Sequence, residues 1–235
     1  MSEKISPKGR RGLPERLRNF GRHLVYSEGT KTEPYYVEDI KKCIADKYKV
    51  RPNDIEIIQG GKRRSRSTVS LANFAVKDVE ERLQNGESVD HVWVFYDKDS
   101  FPEEDYLEAF KIINDRNTSI NDEGIPCDSN SISWHSLSSN QCFELLLLLY
   151  FNYETSALNR KGYAKRIDAL VQKTDKTFSY AKNLCGIHSK LIAAGGSINK
   201  AIRFGKRLEK EHGLENPSSR AYLFLEYFKL YLESK

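Results

Sequence analysis

Cysteine is scarce and scattered. The four residues Cys43, Cys127, Cys142 and Cys185 form no Cys-x-x-Cys pair. That argues against zinc ribbons and thioredoxin-like redox motifs, and the four read as reduced cytosolic thiols. Long apolar runs are missing too. The longest, LLLLLYF from Leu145 to Phe151, falls far short of the roughly 20 residues a membrane helix needs. The first segment, MSEKISPKGRRGLPERLRNFGR, is basic but lacks the apolar stretch of a signal peptide. The expectation is a soluble, cytoplasmic protein with no membrane partner. There is no internal repeat and no low-complexity segment. His135 and His188 have no partners at metal-ligand spacing and read as ordinary structural histidines. Neither sign of charge dominates: Lys+Arg of 38 against Asp+Glu of 33 gives +5. This balance is compatible with a polyanionic partner but too small to require one.

What is present is a core-forming composition. With 235 residues, 39% hydrophobic and 11% aromatic, the chain can build one sizeable α/β domain, or a smaller one with a helical appendage. Residues 1–20, rich in Arg, Lys, Pro and Gly, read as a flexible basic arm. RHLVYS (Arg22 to Ser27), DIEIIQ (Asp54 to Gln59), HVWVFY from His91 and SISWHSL (Ser131 to Leu137) read as strands. Between them the spacing predicts helices over 32–48, over 68–83, and from near Pro102 with Leu107, Phe110 and Ile113 on one side. CFELLLLLYF reads as a buried helix, and further helices are predicted near 159–173, 197–212 and 217–234. Strands alternating with helices imply a Rossmann-like parallel sheet with helices on both faces. The expected division is an α/β core over 21–155 and a helical portion over 156–235 packed on it.

In such sheets ligands bind outside the carboxyl ends of the strands. Two predicted strands end there in acids: the first in Glu28, the third in Asp97 and Asp99. Residues two apart in a strand share a side, so extended backbone through Lys98 would turn both aspartates toward one ion. Placing carboxylates together is unfavourable unless a cation neutralises them, and Mg²⁺ prefers hard oxygen ligands. Glu28 would serve as a further ligand or a general base. The plainer account is that Asp and Glu cap helices that follow strands. Glu144, opening an apolar helix, is likewise accounted for by the helix dipole. The loop Lys62-Arg63-Arg64-Ser65-Arg66 follows the second strand on the same edge and would hold a phosphate backbone, unless it is simply a solvated loop.

VYSEGTKTEPYY, VFYDKDSF, SLSSNQCFELLLLLYF and NPSSRAYLFLEYF, in that order from about residue 22 onward, resemble the RloB-like family. The resemblance implies a Toprim-like fold in which the conserved glutamate and Asp-x-Asp fall on Glu28, Asp97 and Asp99. It also implies an Mg²⁺- or Mn²⁺-dependent nuclease site holding its metal through Glu28, Asp97, Asp99 and Glu144. A role in bacterial anti-phage abortive infection follows, beside an AAA- or ABC-type ATPase, with nucleic acid (DNA or RNA) as substrate and a homo-oligomer as a further option. The family's Asn-Pro-x-Phe-Glu segment stands here as Asn140-Gln141-Cys142-Phe143-Glu144, with Gln for Pro and no aromatic after the Glu. Tyr180 and Lys182 are similar to a Tyr-x-Lys element, which makes Lys182 a candidate phosphate contact. Two competing readings remain. One is a phosphatase of the haloacid-dehalogenase type with Asp97 as nucleophile, although that motif belongs on a first strand. The other is a non-cleaving, nucleic-acid-binding or regulatory subunit of an ATPase-containing complex, with Tyr222, Phe224, Leu225, Phe228 and Tyr231 as docking surface or core.

Overall fold

The computed structural model describes residues 20–48, 54–59, 67–117 and 132–233. In chain order these form β1 (His23–Ser27), α1 (Thr32–Tyr48), β2 (Ile55–Gln59), α2 (Thr68–Gln84), β3 (His91–Asp97), α3 (Glu103–Asp115), β4 (Ser133–Asn140), α4 (Glu144–Leu149), α5 (Arg160–Val171), α6 (Ile187–Ala193), α7 (Ile198–His212), β5 (Ser218–Ser219) and α8 (Tyr222–Glu233). One five-stranded sheet runs β2-β1-β3-β4-β5. Its first four strands are parallel, and β5 joins β4 antiparallel. The fold is therefore α/β with helices on both faces of a mostly parallel sheet, as the alternation of elements predicts.

The period of two in the strands decides what each face buries. Leu24 and Tyr26 of β1 and Val92, Val94 and Tyr96 of β3 pack with Leu71, Ala75 and Val79 of α2 and Tyr106, Ala109 and Ile113 of α3. The intervening residues Val25, Trp93 and Phe95 point the other way. There they meet α1 and all the helices that follow β4, including Phe224 and Phe228 of α8. Strands buried on both faces read as continuous apolar runs, which is how HVWVFY appears in the sequence. The row of aromatic side chains on α8 is core: Phe224, Leu225 and Phe228 are fully buried. This second layer brings residues from the carboxyl-terminal third of the chain to the site.

Three expectations need correction. On α3 the buried stripe is Tyr106, Ala109 and Ile113, while Leu107 is 44% exposed. An i, i+3, i+7 stripe follows the 3.6-residue helical period, whereas 107, 110 and 113 drift off one face. The last helix begins at Tyr222 rather than near 217, because Ser218 and Ser219 pair with β4 as β5. The seven-residue α6 was not expected at all. His188 is buried and His135 half-buried within the fold. His135 stacks on Trp93 at a centroid distance of 3.7 Å, and the Nδ1 of His188 bonds the Tyr150 hydroxyl at 2.7 Å.

Candidate active site

Because β1, β3 and β4 run parallel, their carboxyl ends share one edge, and the chain leaves each into a loop there. Beyond β1, the Glu28 N–H donates to the Phe95 carbonyl at 3.1 Å, which holds that residue beside β3. The Ser27 hydroxyl donates to the Gly29 carbonyl at 2.7 Å and tightens the turn into α1. Gly29 leaves room for the Glu33 carboxylate, which would have to shift if this position carried a Cβ. Beyond β3, Lys98 still pairs with Ser139 at 2.9 Å, but Asp99 turns into the left-handed region at φ 41°. Asp is among the few residues that tolerate that conformation. The two aspartates therefore converge through a turn at Asp99, and not through the extended backbone expected from the sequence. After β4, a cis peptide joins Asn140 to Gln141, and α4 begins at Glu144.

These ends enclose a cavity of about 370 Å³ lined by Glu28, Glu33, Asp97, Asp99 and Glu144 together with Lys31, Arg160 and Lys182. All four acids singled out from the sequence thus meet in one place, as does Lys182. Five acids against three bases leave two negative charges uncompensated when all are ionised. Burial does most to push Glu28 up to about 7, and Glu33 and Asp99 add repulsion. Burial likewise raises Glu33, with repulsion from Glu144, while Arg160 and Lys182 pull the other way. Asp97 is raised well above the usual carboxylate range by burial and by its neighbours Glu33 and Glu144. Desolvated carboxylates crowded into a cleft are what makes such a place a candidate functional site.

Arg160 is the residue that sequence reasoning missed. Its Nη2 donates to Oδ2 of Asp97 and Oδ2 of Asp99, both at 3.0 Å, and its Nε donates to Oε2 of Glu144 at 3.3 Å. Burial works against its charge, but Glu144, Asp97 and Asp99 outweigh this and raise its pKa. Nothing in the sequence marks it, since α5 holds several Lys and Arg residues. Glu33 was also passed over, although it lies within EGTKTE; an acid in the first turn of a helix reads as a dipole partner. Tyr180 donates its hydroxyl to Oε1 of Glu144 at 3.1 Å, and Thr32 donates to the Lys182 carbonyl at 3.4 Å. The Tyr-x-Lys element is thereby fastened to the cavity wall. The basic loop of Lys62, Arg63, Arg64 and Arg66 lies outside the described residues, as do Cys127 and residues 1–19 of the predicted arm, whose last residue, Phe20, is buried in the core. Cys43, Cys142 and Cys185 are free thiols.

The donor set suits a hard divalent cation: every acid offers carboxylate oxygens, and the charge deficit equals that of one such ion. In the present arrangement a guanidinium sits between the carboxylates. Among the described residues no three His, Cys, Asp or Glu side chains already stand in metal-holding geometry.

The RloB-like protein family model matches residues 23–228. The chain belongs to the RloB-like family. That span takes in every residue lining the cavity, from Glu28 to Lys182. No curated protein and no solved structure matches this RloB-like chain. None of its helices, among the described residues, is long and apolar enough to cross a membrane.

Proposed function

We propose that this RloB-like protein is a metal-dependent phosphodiesterase acting on nucleic acid. The observation that carries the reading is the cavity's crowding of acids: five carboxylates converge, three of them hold their protons more tightly than usual, and their full ionisation would leave a deficit that one divalent cation fills. Asp97, Asp99 and Glu144 would hold Mg²⁺ or Mn²⁺, with Glu33 and Glu28 beside them. When bound, the ion supplies Lewis-acid polarisation of the phosphate and neutralises charge that develops during displacement.

The chain's own groups supply the rest. Glu28, with a pKa of about 7, is matched to accept a proton from attacking water near neutrality. Lys31, Lys182 and the amino end of the 17-residue α1 face the same cavity. They offer positive potential to a phosphate without reading sequence. Family membership extends the proposal to an effector role in bacterial anti-phage defence, alongside an AAA- or ABC-type ATPase. A non-cleaving, regulatory reading draws on Arg160, which closes the carboxylates upon a residue of the protein itself.

The assay that separates them is cleavage of labelled plasmid, single-stranded DNA and total tRNA in Mg²⁺, Mn²⁺ or EDTA. Metal-dependent cleavage reduced at least 100-fold in a folded Asp97→Ala variant supports the enzyme. Binding without cutting, in the presence or absence of the ATPase, favours the regulatory subunit.

A further inference from the structure

Three carboxylates from two elements, β3 with its turn and α4, are gathered by one guanidinium. A single nitrogen, Nη2 of Arg160, bridges the Oδ2 atoms of Asp97 and Asp99, while Nε reaches Glu144. Without a cation between them those oxygens would repel, so Arg160 maintains their spacing. It also stands where a smaller, doubly charged ion would find the same three partners. Arginine cannot yield the place by losing its proton; it can yield only by moving.

Its surroundings permit that motion in the side chain while fixing the backbone. Asn159 caps α5 by accepting from the Gly162 N–H at 2.9 Å. The Tyr163 hydroxyl donates to the Ser156 carbonyl at 3.0 Å, and Arg166 pairs with Glu154. These bonds tie down the segment on both sides of Arg160. The Arg160 side chain itself is 29% exposed and opens onto the cavity. A long, flexible side chain on an anchored helical turn can swing out without disturbing the helix.

We infer that Arg160 is a positioning residue that holds Asp97, Asp99 and Glu144 together as a resident cation and is displaced when a divalent ion enters, so that guanidinium and metal occupy the site by turns. The inference rests on the metal-dependent reading above and specifies how that site is controlled. Metal entry requires breaking three charge-assisted hydrogen bonds, which lowers apparent metal affinity below what the bare acids would give. Once displaced, the guanidinium remains tethered beside the cavity, where its planar fork suits a phosphate.

The test uses the full chain as wild type, Arg160→Gln and Arg160→Lys. Mn²⁺ affinity is read by calorimetry, and the Arg160 Nε–H resonance by ¹⁵N NMR during Mg²⁺ titration. Arg160→Gln is expected to bind Mn²⁺ at least tenfold more tightly than wild type and to melt at a lower temperature in EDTA. Mn²⁺ should then raise its melting temperature by more than it raises that of wild type. Arg160→Lys, which keeps the charge but cannot bridge, should fall between, and it serves if Arg160→Gln does not fold without metal. The Nε–H resonance, assigned by its loss in Arg160→Gln, should leave its hydrogen-bonded position as Mg²⁺ saturates. An unmoved resonance at saturation, or equal or weaker Mn²⁺ binding in both variants, overturns the inference and leaves the metal-dependent reading standing. Failure of all three proteins to bind Mn²⁺ overturns both.

Discussion

Replacing Glu28 by Gln should change how the metal-free protein responds to pH, and by an amount that can be worked out. Burial and the neighbouring acids move this carboxyl from an ordinary 4.5 to about 7. Between those values the folded protein retains the Glu28 proton, whereas the unfolded chain has released it. Unfolding therefore releases a proton throughout that window, and stability falls as pH rises through it. The contribution is complete below about 4.5 and gone above about 7. A shift of this size corresponds to about 3 kcal/mol. Glu28→Gln has no such proton to lose. Urea unfolding followed by circular dichroism in EDTA, at pH 4.5, 6 and 8, gives the stability difference between the two proteins. That difference should move by about 3 kcal/mol in favour of the variant as pH increases. Acidification also charges His23 and His135 in the unfolded chain, while burial holds them down at about 3 and about 4 in the folded protein. Those groups are common to both proteins and cancel in the difference. A gap that stays constant across the series would show that Glu28 is not held in a desolvated, crowded cavity, and the role of general base near neutrality would fall with it.

Two further outcomes follow from the same geometry. Glu33→Gln removes one of the five acids without opening a hole, so Mn²⁺ affinity measured by calorimetry should fall at least tenfold while the melting temperature in EDTA does not drop. Phe228→Ala empties a fully buried site between Phe20, Phe224 and Tyr231. Urea denaturation should show a loss of about 3–5 kcal/mol, as expected of core and not of a docking surface.

The parallel core was legible because its strands carry strong, continuous apolar signals and its helices α1 and α2 run 17 residues each. Short elements were not legible. The two-residue β5 and the seven-residue α6 are shorter than any period can reveal, and tertiary pairing with β4 converts the start of a predicted helix into β5. Glu28, Asp97 and Asp99 were found because a strand end is a local feature of sequence. Arg160 was not, because its meaning arises from a contact 63 positions away from Asp97. Helix α5 delivers it to the edge by packing in the second layer against the sheet. The turn at Asp99 was hidden for a related reason. Its conformation is fixed by a bond from its N–H to the Gln141 carbonyl, which no reading of DKDS alone contains.

On the reading proposed above, the acids at the sheet's carboxyl edge form a divalent-metal site. Calorimetric titration of Mn²⁺ into the wild-type protein and into Asp97→Ala/Asp99→Ala decides it. Saturable binding by wild type is expected, lost in a double variant that retains its circular dichroism spectrum. Identical titrations for the two proteins, or no binding by wild type, would contradict it.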